Sequence, residues 1–241
     1  MFIQIWASMV IDFSRMTRWI PTFLEGVGVT IVLSLVTVTI GSILGLFITL
    51  LRRSHLLPVS ALAKFYILFI RGTPLLVQLY VWLYALPLIG IVIPPLPVSS
   101  PVFGTREFST AVIALGINSS AYVAEILRGG LDAIDKGQTE AARSLGLSSR
   151  QNMQYVVIPQ AIRIILPGLG NEFIQMIKES SIVSTVGIFD VMYTSNIVKA
   201  GTYLVFEPLV IISLIYLILT SVLTFLQRQL ERKLNVDLKS N

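Results

Sequence analysis

Two carboxylates stand seven positions apart in an apolar stretch, Glu172 and Glu179. On a helix that spacing is nearly two full turns, so both project from one face, which Gln175 and Met176 share. A carboxylate in hydrocarbon costs roughly 2.5–3.5 kcal/mol on insertion scales unless it is wet or paired. The pair is therefore expected to face a cavity or a cation, which is binding chemistry rather than bond-breaking chemistry. The alternative is that Glu172 pairs with an Arg of a neighbouring helix and Glu179 reaches the outer interface, where Ser180 and Ser181 end the helix. Lys178 partly offsets the negative charge. Other chemistries have no residues to run on. The chain has no Cys, its one His is His55 beside Arg52 and Arg53, and no Gly-x-x-x-x-Gly-Lys-Ser/Thr phosphate loop occurs.

The elements that position these groups are membrane spans. Of 241 residues, 54% are apolar and 13% charged, outside the range of a soluble domain of this length. A bilayer core takes about 20 apolar residues per helix, and five runs supply them: Trp19 to Leu51, Ala61 to Ile93, Phe108 to Leu127, a broken run from Met153 to Ile177, and Leu204 to Leu226. Pro167, Gly168 and Gly170 interrupt the fourth. A lead-in, residues 1–18, lacks the order of a signal peptide and reads as amphipathic; residues 19–230 form the membrane domain and 231–241 a tail. Gly41 and Gly45, four apart, suit close helix contact. The proline-rich connector at 94–101 is too stiff for helix, and Thr185 to Tyr203, too polar for a span, is placed along the outer surface.

Positive charge sets the orientation. One set of loops carries Arg52, Arg53, Lys64, Arg128, Lys136, Arg143, Arg150, Arg163, Arg228, Arg232, Lys233 and Lys239; the other carries Arg15, Arg18, Arg106 and Lys199. The amino terminus is expected outside and the carboxyl terminus in the cytoplasm. The net charge of +5 is accounted for by the inner loops. Acidic lipid headgroups are its partner, and no nucleic acid is needed.

The inner loop 128–152 reads as helix, sharp turn, helix. Asp135 caps the first, Gly146 stops it, and Ser148 with Gln151 can form a capping box for the second. Ala141, Ala142 and Leu145 share a face suited to docking in a groove, although a helix lying on headgroups would have the same pattern.

The spacing Glu140-Ala141-Ala142, three residues, Gly146, nine residues, then Val156-Val157-Ile158-Pro159 resembles the cytoplasmic loop motif of ABC importer permeases. Val156 and Ile158 stand where that motif usually has Ile and Leu. Arg71-Gly72-Thr73-Pro74-Leu75-Leu76-Val77-Gln78, Ala124-Glu125-Ile126-Leu127-Arg128-Gly129-Gly130 and Lys178-Glu179-Ser180-Ser181-Ile182-Val183-Ser184 look like the polar amino acid, histidine/glutamine-type branch, over about Phe23 to Leu230. The resemblance implies an all-α type I ABC importer permease fold with a coupling helix. It implies pairing with a second or related permease, an ATPase partner that holds ATP and magnesium while this chain binds no cofactor, and an external amino acid-binding protein. Glu140, Ala141, Ala142, Leu145, Gly146 and Pro159 would couple to the ATPase. Glu172, Gln175, Met176, Glu179, Ser180 and Ser181 would line the amino acid path, with a cationic substrate expected from the two acids. An ion-gradient-driven secondary transporter is the competing class; it predicts internal repeats of spans, and none is convincing.

Overall fold

A computed structural model describes residues 13–234, and every regular element among them is helical. Helix α1 (Ile20–Arg52) is preceded by a 3-10 turn, Phe13–Trp19, that is continuous with it. Next come α2 (Leu57–Gly72), α3 (Leu75–Tyr80), α4 (Arg106–Asp132), the short α5 (Lys136–Ser144) and α6 (Ser149–Asn152) of the loop, α7 (Ile158–Glu179), α8 (Val191–Thr202) and α9 (Phe206–Lys233). The helices Phe13–Arg52, Arg106–Asp132 and Phe206–Lys233 are each long and apolar enough to cross a bilayer; two bent pairs bring the count to five when each is taken as one span. The lead-in thus joins the first span from Phe13 onward, and the first residues of the expected tail belong to α9. The rest of both segments, 1–12 and 235–241, lies outside the described residues.

Helix α1 packs along α4 as the central pair. Their seam is built of small side chains: a Cβ on Gly41 would stand 2.7 Å from Ser119 Oγ, and one on Gly45 would stand 2.8 Å from the Ser120 carbonyl oxygen. Without a hydrophobic drive between helices in lipid, close backbone approach of this kind is what holds them. Val29, Leu33 and Val38 of α1 meet Leu79 of α3, Phe108 to Leu115 of α4 and Met176 of α7 in one core; Met16, Phe23, Val191, Val198 and Ile212 form a second. Helix α9 lies at the edge, with Leu214, Leu217, Ile218, Val222 and Phe225 exposed.

The second span kinks sharply at Thr73 and Pro74, Leu57–Gly72 and Leu75–Ile89 meeting at 104°. Pro74 cannot donate to the Ile70 carbonyl, and the residue before a proline is driven to extended backbone; Thr73 is extended accordingly, with φ −117° and ψ 144°. Two expectations need correction. The fourth span is not interrupted at Pro167, because α7 runs unbroken from Ile158 to Glu179. Gly168 and Gly170 serve contact instead, their Cβ positions lying 2.6 Å from Ile126 and 3.2 Å from Gln227. The segment 185–203 lies only partly on the surface: Thr185, Asn196 and Tyr203 are exposed, but one side of it is not. Asp190, Val191, Thr194, Ser195 and Val198 are fully buried where α8 packs on α1 and α9. Its polar residues are satisfied locally: Asp190 caps α8 by accepting from the Tyr193 N–H at 2.8 Å, and the Thr194 hydroxyl donates to the Val191 carbonyl at 2.7 Å.

Candidate functional site

The loop elbow forms as its sequence signals require. Asp135 accepts from the Gly137 N–H at 2.6 Å, and Ser148 and Gln151 close a reciprocal capping box. Gly146 takes the left-handed conformation, φ +81°. Its N–H donates to the Arg143 carbonyl at 2.9 Å and that of Leu147 to the Ala142 carbonyl at 3.1 Å, a Schellman ending. The two short helices are tied together by Asn152 Nδ2 donating to Thr139 Oγ1 at 3.2 Å. The expected docking face is divided by this packing. Ala142 turns inward, is 4% exposed and braces the elbow. Ala141 and Glu140 are exposed, and Leu145 is 84% exposed. Leu145 is thus an apolar side chain open to contact at the tip of a polar loop.

From the elbow the chain enters the membrane domain through a wide π turn, Met153–Val157. Pro159 follows at once; because the backbone stays helical through Val157, its missing N–H withholds one ladder bond, and the irregular turn coincides with that break.

Helix α7 brings the two carboxylates to the same side, and their environments differ. Glu172 is 8% exposed and accepts from Ser119 Oγ at 2.6 Å; Glu179 is half-buried and accepts from Gln175 Nε2 at 2.8 Å. Neither makes an ion pair among the described residues. No described side chain supplies the expected cation to either, and Ser119 ties Glu172 to α4. Met176 fills the space between them in the core, and Gln175 is exposed. Helix α7 ends at Glu179, as Ser180 and Ser181 were expected to impose; both lie in the 3-10 turn Ser180–Val186, and Ser180 is buried, its hydroxyl donating to the Ile177 carbonyl at 2.9 Å.

Sequence reasoning passed over Asn118 and Ser119. Their signal is a run of three polar residues, Asn118-Ser119-Ser120, in the middle of an apolar span. Asn118 Nδ2 donates to Gln78 Oε1 at 3.0 Å, and Gln78 Nε2 donates to the Ile70 carbonyl at 2.7 Å. At the other end of α4, Glu125 pairs with Arg52 and with Arg128 at 2.8 Å, Arg128 with Asp132 at 2.9 Å, and Asp132 with Arg53 at 3.0 Å. Two of these four links, from Arg52 and Arg53, tie the end of α1 to α4, and the two from Arg128 lie within α4.

Known proteins share this arrangement. Residues 38–236 match the family model described as binding-protein-dependent transport system inner membrane component. The chain is 42% identical over 227 residues to the arginine transport system permease protein ArtQ of Bacillus subtilis (strain 168), covering 94% of this chain and 98% of that protein. It is 36% identical to a Rickettsia bellii (strain RML369-C) protein named for glutamine transport as its permease GlnP, over 93% of this chain and all of that protein. Among solved structures, an amino acid ABC transporter crystallised with histidines superposes with a TM-score of 0.86 at 46% identity, over 93% of this chain and 100% of that one. The MetNI methionine ABC transporter, at 16% identity and a TM-score of 0.72 over 91% of this chain and 99% of its own, shares the fold. On these matches and on its helical architecture, the chain belongs to the binding-protein-dependent transport system inner membrane components, with the type I ABC importer permease fold, as an amino acid ABC permease subunit.

Proposed function

We propose that this subunit forms half of the translocation path of an ATP-driven amino acid importer, pairing with a second copy or a related permease. An ATPase subunit grips the elbow and holds ATP and magnesium, an external binding protein delivers the amino acid, and this chain itself binds no cofactor. The amino terminus lies outside and the carboxyl terminus in the cytoplasm, in keeping with the surplus of Lys and Arg at the elbow side.

The observation that carries the reading is the elbow: Leu145 stands exposed on a doubly capped corner that leads without a loop into the helix bearing Glu172 and Glu179. Displacement of α5 by a partner would move α6 and then α7. Glu140, Ala141, Leu145 and Gly146 form the gripped part; Ala142 and Pro159 hold its geometry. On α7, Glu172, Gln175, Met176, Glu179, Ser180 and Ser181 form the substrate side. Two carboxylates without a cation of their own favour a cationic amino acid such as arginine, lysine or histidine. Names of relatives point both ways, to arginine and to glutamine.

The test is crosslinking from the elbow. The chain has no Cys, so Leu145→Cys gives a single reactive site; in membranes holding this subunit with its ATPase, the reading predicts a crosslinked product between the two. Absence of the product with both proteins present, or amino acid uptake by the chain alone in vesicles carrying only an ion gradient, would refute it; the second result would establish the secondary transporter instead.

A further inference from the structure

We infer that the cleft between α1, α2 and α4 binds the phosphate of an anionic phospholipid. The cleft has a volume of about 380 Å³ and is lined by Arg52, Lys64, Arg71, Tyr122 and Glu125. Lys64 and Arg71 stand seven positions apart on α2, so they share a face. Both side chains are exposed, and neither has a carboxylate partner among the described residues. Arg71 is steadied by its guanidinium lying 5.2 Å from the centre of the Tyr122 ring. Glu125 is the single acid of the lining, and Arg52 and Arg128 already engage it. Positive charge is left over.

The surroundings select the occupant. Ile67 and Leu68 line the cleft beside the two cations, and Leu62, Phe65, Leu68 and Phe69 of α2 and Phe47 and Leu50 of α1 are exposed on the helices that bound it. A lone Lys or Arg at bilayer depth costs about 2.5–3.5 kcal/mol, and helical side chains lean toward the amino end of their helix. For Lys64 and Arg71 that end is Leu57, next to Arg52 and the ion-paired ends of α1 and α4. Basic pockets between transmembrane helices at such a position take lipid headgroups. A phospholipid offers both parts of the match: a phosphate for Lys64 and Arg71, and acyl chains for the apolar rim. A free carboxylate offers only the first. The inference rests on bilayer embedding and is independent of which amino acid passes.

Native mass spectrometry of the full-length chain in mild detergent, titrated with cardiolipin, phosphatidylglycerol or phosphatidylethanolamine, tests it. Cardiolipin and phosphatidylglycerol adducts are expected to survive activation that strips phosphatidylethanolamine. The double variant Lys64→Gln/Arg71→Gln should weaken them by about tenfold or more, a loss of one charge-assisted contact or greater. Lys64→Arg/Arg71→Lys should retain them, separating charge from fold, and Lys199→Gln should leave them unchanged. Equal retention of phosphatidylethanolamine, or unaltered adducts in the double variant, overturns the inference. So does displacement of the lipid by arginine or glutamine, which would assign the cleft to a substrate carboxylate. Disulfide capture between two Lys64→Cys copies would overturn it in favour of a permease-to-permease contact.

Discussion

Gln78 donates through Nε2 to the carbonyl of Ile70 at 2.7 Å, the acceptor that Pro74 leaves without its helical donor. The same amide nitrogen reaches Thr73 Oγ1 at 2.8 Å, while its carbonyl oxygen accepts from Asn118 at 3.0 Å. One buried side chain thereby satisfies the break in the second span and pins the bend to α4. Irregular backbone at membrane depth persists only where such partners are supplied.

Replacing Gln78 by Leu should destabilise the subunit by about 1–3 kcal/mol, since the Ile70 carbonyl and the Asn118 amide are left buried without partners. The thermal midpoint in detergent checks this. A Gln78→Leu/Asn118→Leu double variant should lose less than the sum of the two single changes, because each single change strands the other partner.

Gly41→Leu should separate α1 from α4. Even the first added carbon meets Ser119 at 2.7 Å, and overpacking of this kind costs about 1–3 kcal/mol. Ser119→Ala keeps the seam and removes the donor to Glu172, so it should depress transport more than stability. Comparing the thermal midpoint with uptake rate for both variants separates the two effects.

Gly146→Val forces a β-branched residue into left-handed backbone, at a cost of about 1–2 kcal/mol, and should loosen the elbow. Leu145→Asp, at an exposed position, should leave folding unchanged while reducing substrate-stimulated ATP hydrolysis by the assembled transporter to near its basal rate. A folded Leu145→Asp transporter with full stimulation would contradict the docking role.

Glu172→Gln and Glu179→Gln should raise the KM for arginine uptake by about tenfold, the loss expected from one charge-assisted contact of roughly 1.5 kcal/mol, with a smaller effect on glutamine. Equal effects on the two substrates would remove the preference for a cationic one.

The spans and the elbow were legible because length, charge and cap signals are local properties. Asp135, Gly146, Ser148 and Gln151 do what their residue types dictate from within a few positions. What escaped depends on neighbours distant in the chain. Pro74 marks a kink from its residue type alone, but the size of the angle is set from outside, where Asn118 holds Gln78. Pro167 with two glycines looked like a break, yet α7 stays helical because the glycines serve contacts with Ile126 and Gln227. The polar count of residues 185–203 suggested a surface position; Thr194 is buried because its small side chain fits against Gly26, whose added Cβ would lie 2.7 Å from it. Ala142 appeared interchangeable with Ala141 on a helix diagram, and only the fold of the second short helix tells them apart.

The wide turn Met153–Val157 has a mechanical corollary. Rigid caps on both sides of Gly146 leave the corner little give, and α7 beyond Ile158 is regular. Compliance is therefore concentrated in five residues at the foot of α7, so a stroke delivered to α5 divides there between rotation of the joint and travel of the carboxylates. Stiffening or slackening that joint would change the gearing of the machine without touching motor or cargo.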